Sequence, residues 1–381
     1  MNRIAKLMVV ATMSIPAAGS FGFVPPNAPE AVASVPQDEK VGTEEITAHT
    51  IGGGDSTLTL RRAESGYVKA HVTGLKLAEG DVLRISDPAG KESYTYTGKD
   101  DLTASPDATG FWAMSVTGDT AVLTLRGKDG GAPSAASTAT VDKLTRGFTP
   151  AEFSAQEQRQ TRSICGSNNY QDVACYQTSS PTEFAKTKPV AKLLRNGSSL
   201  CTAWRVGAKN RMLTNNHCFT STTGIEVWFN YQCPTCNGTT STPTKVLASK
   251  VLSTDAGLDY TLYEVNDFNA ISGFGYLELD ARVPNVGERM YVIGHPAGKL
   301  KKLSLKDDQS PSGNCQVRAV RVNGSSSQSD ISYMCDTEGG SSGSPVLSGD
   351  THKVIALHHF GGCPNQGVRI DLVAQKIGSL L

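Results

Sequence analysis

Three residues in the second half of the chain are of the types that perform nucleophilic catalysis by serine. They are His217 in LTNNHCF, Asp259 in LDYTLYEV and Ser342 in CDTEGGSSGSPVL. Such catalysis needs a base on the hydroxyl group, an acid that orients the base, and N–H donors that face the developing oxyanion. The sequence therefore predicts a site with these residues as base, orienting acid and nucleophile.

Glycines surround the predicted nucleophile. Gly340 and Gly343 flank Ser341 and Ser342, and glycine permits the sharp turns that point successive N–H groups to one side. The N–H groups of Gly340 and Ser342 are therefore predicted to form an oxyanion hole.

Two rival assignments fall in the same segments. Residues 339–343 also fit the G-x-S-x-G pattern with Ser341 as nucleophile. That pattern requires an α/β chain with the order serine, acid, histidine, and no strand–helix alternation surrounds it here. Asp255 is the rival acid, but no strand follows it directly. Asp259 opens an apolar strand although aspartate has low strand propensity, and it is therefore preferred.

The elements that must position these residues are mostly strands, in a chain of 381 residues that suggests two domains. Residues 40–130 show alternating runs without cysteine or a catalytic constellation, which predicts a β-sandwich-like prodomain or accessory domain. Residues 131–162 begin rich in Gly, Ala, Ser and Thr and are predicted as a linker and processing region, helical in part. Residues 163–381 contain many short strands, and only 371–381 have helical spacing. The predicted fold class is mainly β with a C-terminal helix.

The N-terminus has the layout of a secretory signal peptide. Arg3 and Lys6 precede an apolar stretch, and small residues follow it. Residues 1–33 are assigned to this peptide, with a cut after residue 19 or 33. All nine cysteines lie from Cys165 onward, as expected for disulfides in an exported domain. The protein is therefore predicted to be secreted.

Charge and cysteine spacing exclude other classes of partner. The chain has 36 basic and 36 acidic residues, which gives no basis for nucleic-acid binding, and no later apolar run predicts a membrane span. Cys233 and Cys236 form half of a zinc knuckle, but no second C-x-x-C and no H-E-x-x-H accompany them. No metal and no cofactor are therefore expected.

Residues 163–381 resemble the chymotrypsin-like serine endopeptidases, and within them the secreted bacterial lysyl and glutamyl (V8-like) endopeptidases. The resemblance is carried by ICGSNNYQDVAC, SSLCTAWRV, LTNNHCF, VWFNYQCPTC, LDYTLYEV, IGHPAG, GGSSGSPVL and ALHHFGG. It implies two six-stranded β-barrels, with His217 and Asp259 on the first and Ser342 on the second. It also implies peptide-bond hydrolysis through an acyl-enzyme. The chain is expected to act as a monomer on protein or peptide substrates.

The resemblance implies disulfides as well. The implied pairs are Cys201–Cys218, Cys165–Cys363 and Cys175–Cys236, after which Cys315 and Cys335 remain as a fourth pair and Cys233 is left over. Ser341 stands where pancreatic-type enzymes have the aspartate that pairs with the new N-terminus, so activation by that ion pair is not expected. A protease that cuts after arginine would be able to mature itself after Arg162, which makes the chain a predicted zymogen.

The predicted substrate-binding residues conflict. Asp336 matches the acidic pocket floor of trypsin-like enzymes and favours cleavage after Lys or Arg. In lysyl endopeptidases, however, the selecting aspartate follows the GG of the last segment, and the segment that begins at Gly361 has none. His359 and Thr337 match the pocket residues of glutamyl endopeptidases, which is the alternative.

Two further alternatives stay open. In one, the pocket has no strong preference because Asp336 is turned away and bonded to backbone. In the other, the chain is an inactive protease-like binding protein, which the presence of all three catalytic residues disfavours. A processing protease that cuts host proteins is not separable from a general digestive one.

Overall fold

The structure, a computed structural model, describes residues 39–52, 55–98, 110–157, 163–219 and 221–381, all of which fall in the unit Ala33–Leu381. The predicted signal peptide (1–33) and the predicted processing site at Arg162 lie outside the described residues. Among the described helices, none combines the length and the apolar character needed to cross a membrane.

Alternating apolar residues form the strands of the N-terminal module. These strands are β1 (Glu39–Lys40), β2 (Gly42–Gly52), β3 (Thr57–Arg61), β4 (Tyr67–Lys76), β5 (Val82–Ser86), β6 (Ser93–Tyr96), β7 (Phe111–Trp112), β8 (Val116–Thr117), β9 (Thr120–Arg126) and β10 (Thr138–Gly147). One sheet has the order β2-β10-β4-β7, with β8 also on β4, and the other has the order β3-β9-β5-β6. Residues of both sheets, such as Val72 and Leu83, share one buried core. This is the arrangement of a sandwich.

The segment 131–162 differs from the predicted linker. Strand β10 lies inside it and pairs with both β2 and β4, in the middle of the first sheet. Val141 and Leu144 are buried because a register shift between them brings both side chains to the core. The Gly, Ala and Ser composition concealed this strand, although its threonines favour strands. The helix α1 (Pro150–Glu157) follows.

The first barrel is closed by six strands. They are β12 (Val190–Arg195), β13 (Ser199–Arg205), β14 (Met212–Thr214), β15 (Ile225–Phe229), β16 (Thr244–Asp255) and β17 (Tyr260–Val265), in the order β13-β12-β15-β16-β17-β14 with β14 returning to β13. The short helices α2 (Pro181–Ala185) and α3 (Phe268–Ser272) flank it in sequence. All five residues of β15 are buried. Val227 belongs to the barrel core, whereas Glu226 and Trp228 alternate to the outer face.

The second barrel contains most of the later strands. They are β11 (Gln171–Asp172), β18 (Met290–Gly294), β19 (Lys302–Ser304), β20 (Val317–Val322), β21 (Asp330–Tyr333), β22 (Pro345–Ser348), β23 (Val354–Phe360) and β24 (Asn365–Arg369), in the order β11-β19-β18-β22-β23-β24-β21-β20. Helix α4 (Ile370–Ile377) ends the domain. The prediction of a mainly β chain with a chymotrypsin-like double barrel and a C-terminal helix is confirmed.

The module is joined to the outer face of the first barrel by charged side chains, three of them buried and Glu92 15% exposed. They are here named the docking cluster: Lys69, Glu92, Glu226 and Lys245. Lys69 Nζ lies 2.7 Å from Glu226 Oε2, and Lys245 Nζ lies 2.6 Å from Glu92 Oε1. Each pair joins one residue of the module to one of the barrel. The module also adds β1 to the edge of β13, with Glu39 opposite Leu200. This edge leads directly to the candidate site.

Four disulfides join the cysteines of the second half. The bonded pairs are Cys165–Cys363, Cys175–Cys236, Cys201–Cys218 and Cys315–Cys335. The first three are the pairs that the resemblance implied, and the fourth joins the two cysteines that remained beside Cys233. Cys233 is a buried free thiol whose Sγ donates to the Gly238 carbonyl at 3.0 Å.

Candidate active site

His217 follows strand β14 by three residues, in a segment that a disulfide holds in place. Cys218 is bonded to Cys201 of β13, with a Cα–Cα distance of 6.1 Å. The His217 side chain is 19% exposed. The segment is therefore fixed to the barrel, and part of the imidazole remains at the surface.

Asp259 has a backbone conformation that few residues other than glycine adopt. Its φ is +47°, a region that aspartate tolerates better than most residues. The buried Asn215 donates its side-chain amide to the Asp259 carbonyl at 2.8 Å. Asp255, the rival acid, accepts two N–H groups of the preceding turn. The turn therefore uses Asp255 as a structural residue and directs the Asp259 carboxylate toward His217.

The contact between His217 and Asp259 is short and doubled. His217 Nδ1 lies 2.8 Å from Asp259 Oδ2, and the His217 backbone N–H donates to Oδ1 at 3.0 Å. Burial alone raises the pKa of Asp259, but hydrogen bonds from His217 and His359 outweigh it, and the pKa lies well below the usual range. An ionised carboxylate keeps the proton on Nδ1, which leaves Nε2 as the basic nitrogen. That buried Nε2 atom has no hydrogen-bond partner in the described part of the chain.

Ser342 lies in the turn between β21 and β22, which packs against the first barrel. Gly340 and Gly343 have φ values of +90° and +86°. A Cβ at Gly340 would lie 2.5 Å from Leu200 Cδ2, and one at Gly343 would lie 2.1 Å from the Thr202 carbonyl oxygen. Thr202 N–H donates to the Ser342 carbonyl at 2.8 Å. The glycines are therefore required by close approach to β13, whose disulfide holds the histidine segment.

The two candidate serines of this turn have different environments. Ser341 is buried, and its Oγ accepts the N–H of Glu338 at 3.3 Å. Ser342 is half-buried. Among the described residues, the N–H groups of Gly340 and Ser342 have no acceptor. The geometry favours Ser342 over Ser341 and leaves two donors available for an oxyanion.

His359 is not where the glutamyl-endopeptidase resemblance placed it. Its ring is fully buried, with Nδ1 3.1 Å from Asp259 Oδ2 and Nε2 2.6 Å from Asp330 Oδ2. Burial alone lowers the pKa of His359, but hydrogen bonds to the two carboxylates outweigh it and raise the pKa to about 9. The sequence predicts that His359 binds substrate. The structure instead places its ring between the carboxyl groups of Asp259 and Asp330.

Asp336 is bonded to backbone groups of residues 163–169. Its two carboxylate oxygens accept the N–H of Cys165 at 2.8 Å and the N–H of Asn169 at 2.6 Å. The residue is buried, and burial raises its pKa. The sequence favours Asp336 as the acidic floor of the specificity pocket. The structure instead matches the alternative in which Asp336 is bonded to backbone.

Thr337 and Gly361 lie together around the segment that begins at Ser163. Thr337 N–H donates to the Ser163 carbonyl at 3.1 Å, and its hydroxyl donates to Asn365 Oδ1 at 3.0 Å. A Cβ at Gly361 would lie 2.1 Å from Ser163 Oγ. The structure thus places three of the four predicted substrate-binding residues, all except His359, against residues 163–169.

One group near the site has the elements of a metal centre. His217 and the sulfurs of Cys201 and Cys218 offer atoms within 4.8 Å of one another. The two sulfurs are joined in a disulfide, so neither is a thiolate that could bind a metal.

Two contributors to the site were missed by sequence reasoning. Asp330 opens a strand, and Asp259 directly precedes one, so the same low strand propensity of aspartate would have singled out both. Asn215 lies two residues before His217, but its role depends on the unusual backbone of Asp259.

Comparison with known proteins adds a family match for part of the chain. Residues 201–357 match the family model described as a trypsin-like peptidase domain. The secreted RxLR effector protein 73 of Plasmopara viticola is 35% identical over 217 residues, which cover 54% of this chain and 52% of that protein. The uncharacterized protein y4fB of Sinorhizobium fredii is 32% identical over 164 residues, which cover 39% of this chain and 24% of that protein. The chain thus spans about half and about a quarter of their lengths.

Solved structures also align with the chain. A Glu endopeptidase is 18% identical with a TM-score of 0.43, covering 57% of this chain and 100% of that one. The inactive form of a protease from M. tuberculosis is 18% identical with a TM-score of 0.40, covering 54% of this chain and 94% of that one.

Proposed function

We propose that the chain is a serine endopeptidase that cleaves peptide bonds through His217, Asp259 and Ser342. The observation that carries the proposal is the 2.8 Å contact between His217 Nδ1 and Asp259 Oδ2. In the turn that carries Ser342, the N–H groups of Gly340 and Ser342 have no acceptor among the described residues. The trypsin-like peptidase match of residues 201–357 supports the same reaction class.

The reaction divides into two transfers of the acyl group. Ser342 Oγ attacks the substrate carbonyl carbon while its proton passes to His217 Nε2. The carbonyl oxygen becomes an oxyanion, which accepts the N–H groups of Gly340 and Ser342, each such donor being worth about 3 kcal/mol. The C–N bond then breaks as His217 returns the proton to the amine. Water repeats the sequence on the acyl-enzyme, and Asp259 stays ionised throughout.

The contacts of Asp336 and His359 support a weaker substrate preference than the cleavage after Lys or Arg that the sequence favoured. The Asp336 carboxylate already accepts two backbone N–H groups, and the His359 ring already contacts two carboxylates. In this arrangement neither group is free to bind the charge of a lysine, an arginine or a glutamate. We therefore propose a site without strong charge preference as long as residues 163–169 cover Asp336. Cleavage after Lys or Arg would require that segment to move.

Secretion and latency are part of the proposal. The four disulfides suit an oxidising compartment, and one relative is named a secreted effector. The N-terminal module acts as a prodomain, because β1 pairs with β13 where Leu200 contacts Gly340. Arg162 is the proposed maturation site. An N-terminus that starts before Ser163 in fully active protein would contradict this step.

A cleavage census tests the proposed function. The secreted protein, Ser342→Ala and Ser341→Ala are each incubated with a denatured protein mixture, and new termini are identified by mass spectrometry. We expect cuts with the wild type and with Ser341→Ala, and a loss of about 10⁴-fold or more with Ser342→Ala. Equal cutting by the wild type and Ser342→Ala would overturn the serine mechanism. Absence of cuts by both, before and after processing, would favour the protease-like binding protein.

A further inference from the structure

His359 and Asp330 continue the His217–Asp259 pair into the second barrel. His359 lies on β23, Asp330 opens β21, and neither side chain is exposed to solvent. The four residues form a continuous series of contacts, here named the carboxylate–imidazole chain: His217, Asp259, His359 and Asp330. Its distances are 2.8, 3.1 and 2.6 Å.

Counting protons fixes the charge of this chain. A carboxylate only accepts hydrogen bonds, and a neutral imidazole has a single N–H donor. Both ring nitrogens of His359 lie within hydrogen-bond distance of carboxylate oxygens. In a neutral ring one of these nitrogens has no proton, so it and the facing oxygen would both be acceptors. Two bonds require an additional proton, and the imidazolium form of His359 supplies it.

The groups that face His359 support this assignment. Each carboxyl group also accepts a hydrogen bond from a further donor: the His217 backbone N–H bonds to Asp259, and the Ser329 hydroxyl bonds to Asp330 at 2.6 Å. On the same strand, burial lowers the pKa of His358 to about 3, so that ring is neutral. Burial also raises the pKa of Tyr333, whose hydroxyl contacts His358. The additional proton is thus assigned to His359, which lies between the two carboxyl groups.

We propose that His359, held by Asp330, is a positioning residue that fixes the Asp259 carboxylate from behind and shares its negative charge with His217. This inference rests on the proposed serine-protease function. Because Asp259 is divided between two imidazoles, it attracts a proton on His217 less strongly than an undivided carboxylate would. We therefore expect the wild-type protease to stay active to a lower pH than a variant that lacks the His359 charge.

The kinetic test compares the wild type with His359→Gln and Asp330→Asn. The probe is dye-labelled, heat-denatured casein, and kcat/KM is measured from pH 5 to 10. We expect the acid limb of both variants to move up by about one pH unit, since either change removes the imidazolium charge. His358→Gln, a neighbour on the same strand that is already neutral, is expected to leave the limb in place.

A double variant protects the test against misfolding. His359→Gln alone leaves Asp330 buried without a cation, which can prevent folding. The variant His359→Gln/Asp330→Asn replaces both charged groups by amides that can pair, and it is expected to show the same shift. A limb that stays in place in a folded single or double variant, or moves equally in His358→Gln, would overturn the proposal.

A spectroscopic readout separates this inference from the proposed function. In ¹⁵N-labelled Ser342→Ala protein at pH 7, the His359 ring should show two protonated nitrogens, and Asp330→Asn in that background should reduce them to one. A single protonated nitrogen in the first protein would overturn the inference even if the wild type cleaves casein. Cleavage that Ser342→Ala does not reduce would instead overturn the proposed function.

Discussion

The docking cluster and the carboxylate–imidazole chain both consist of charged side chains in the interior of the protein. They differ in whether every polar atom has a hydrogen-bond partner. In the docking cluster, Lys245 Nζ makes three hydrogen bonds, to Glu92, Ser115 and Thr117. The carboxylate of Glu226 accepts from a lysine, a serine and a tryptophan. In the carboxylate–imidazole chain, the terminal nitrogen, His217 Nε2, has no partner among the described residues.

This difference separates a structural role from a chemical one. A lysine with three acceptors has no donor left for a ligand, and its cluster serves to hold two surfaces together. An imidazole with one saturated and one open nitrogen is able to accept a proton and return it. Burial and charge alone therefore do not mark an active site, because both regions have them.

Glu226→Gln is expected to have the largest effect on stability. The change leaves Lys69 buried without its counter-charge, which typically costs about 3–5 kcal/mol. We expect a lower midpoint in urea unfolding while the acid limb of kcat/KM stays in place.

A surface pair supplies the control. Lys353 and Glu278 form an ion pair at 3.0 Å with side chains 45% and 55% exposed, so Glu278→Gln is expected to cost less than about 1 kcal/mol. Equal losses in the two variants would show that the docking cluster is no stronger than an exposed pair.

Gly340→Ala tests the unpaired N–H groups of the candidate active site. The added Cβ would lie 2.5 Å from Leu200 and would displace the Gly340 N–H from the predicted oxyanion position. We expect kcat to fall by about 10²–10³-fold, measured with the same casein substrate.

Gly275→Ala is the matched control for backbone strain. Gly275 has a φ of +74°, and a Cβ added there would meet open space, so the loss is expected in stability and not in kcat. A similar fall in kcat in both variants would argue against a specific role for the Gly340 N–H.

The pH dependence of stability should come from different sources in the two regions. His359 has a raised pKa of about 9, so its contribution is complete below its ordinary value of 6.5 and is lost as the pH rises through 9. Asp259 has a lowered pKa, so its contribution is complete above 3.8 and is lost as the pH falls below that. The carboxylate–imidazole chain is therefore most stabilising between these limits.

The measurement is a difference between two proteins. The unfolding free energy of the wild type minus that of His359→Gln/Asp330→Asn should decline between pH 6.5 and 9. Lys192 and Lys301 have pKa values lowered by burial to about 7. They act in the opposite direction in both proteins and cancel in the difference. A difference that is flat with pH would contradict the charge assigned to His359.

Sequence reasoning reached the parts of this molecule that depend on local pattern. Alternating apolar residues predicted the strands, and residue type with spacing led to His217, Asp259 and Ser342. It failed for β10, whose Gly-, Ala- and Thr-rich surroundings suggested a linker. It also misplaced His359, because a match between neighbouring letters does not tell which face of a strand a side chain takes. Adjacent histidines point to opposite faces, and only the assembled barrels show that His359 meets Asp259.

Asp336→Asn should have the smallest effect on activity. Asp336 is a third kind of buried carboxylate, held by backbone N–H groups rather than by lysine or imidazole. We expect the ratio of cleavage after Lys or Arg to cleavage elsewhere to change by less than about threefold, because its oxygens are already occupied by backbone N–H groups. Loss of one acceptor should cost about 1–2 kcal/mol of stability.

The same cleavage census decides whether that carboxylate is structural. A fall of about 100-fold in cleavage after Lys and Arg would show that residues 163–169 leave Asp336 when a substrate binds. In that case the backbone N–H groups of Cys165 and Asn169 would be temporary partners for a charge whose working partner is the substrate. Asp336 would then belong with His217, as a group left partly unpaired for function, and not with the saturated docking cluster.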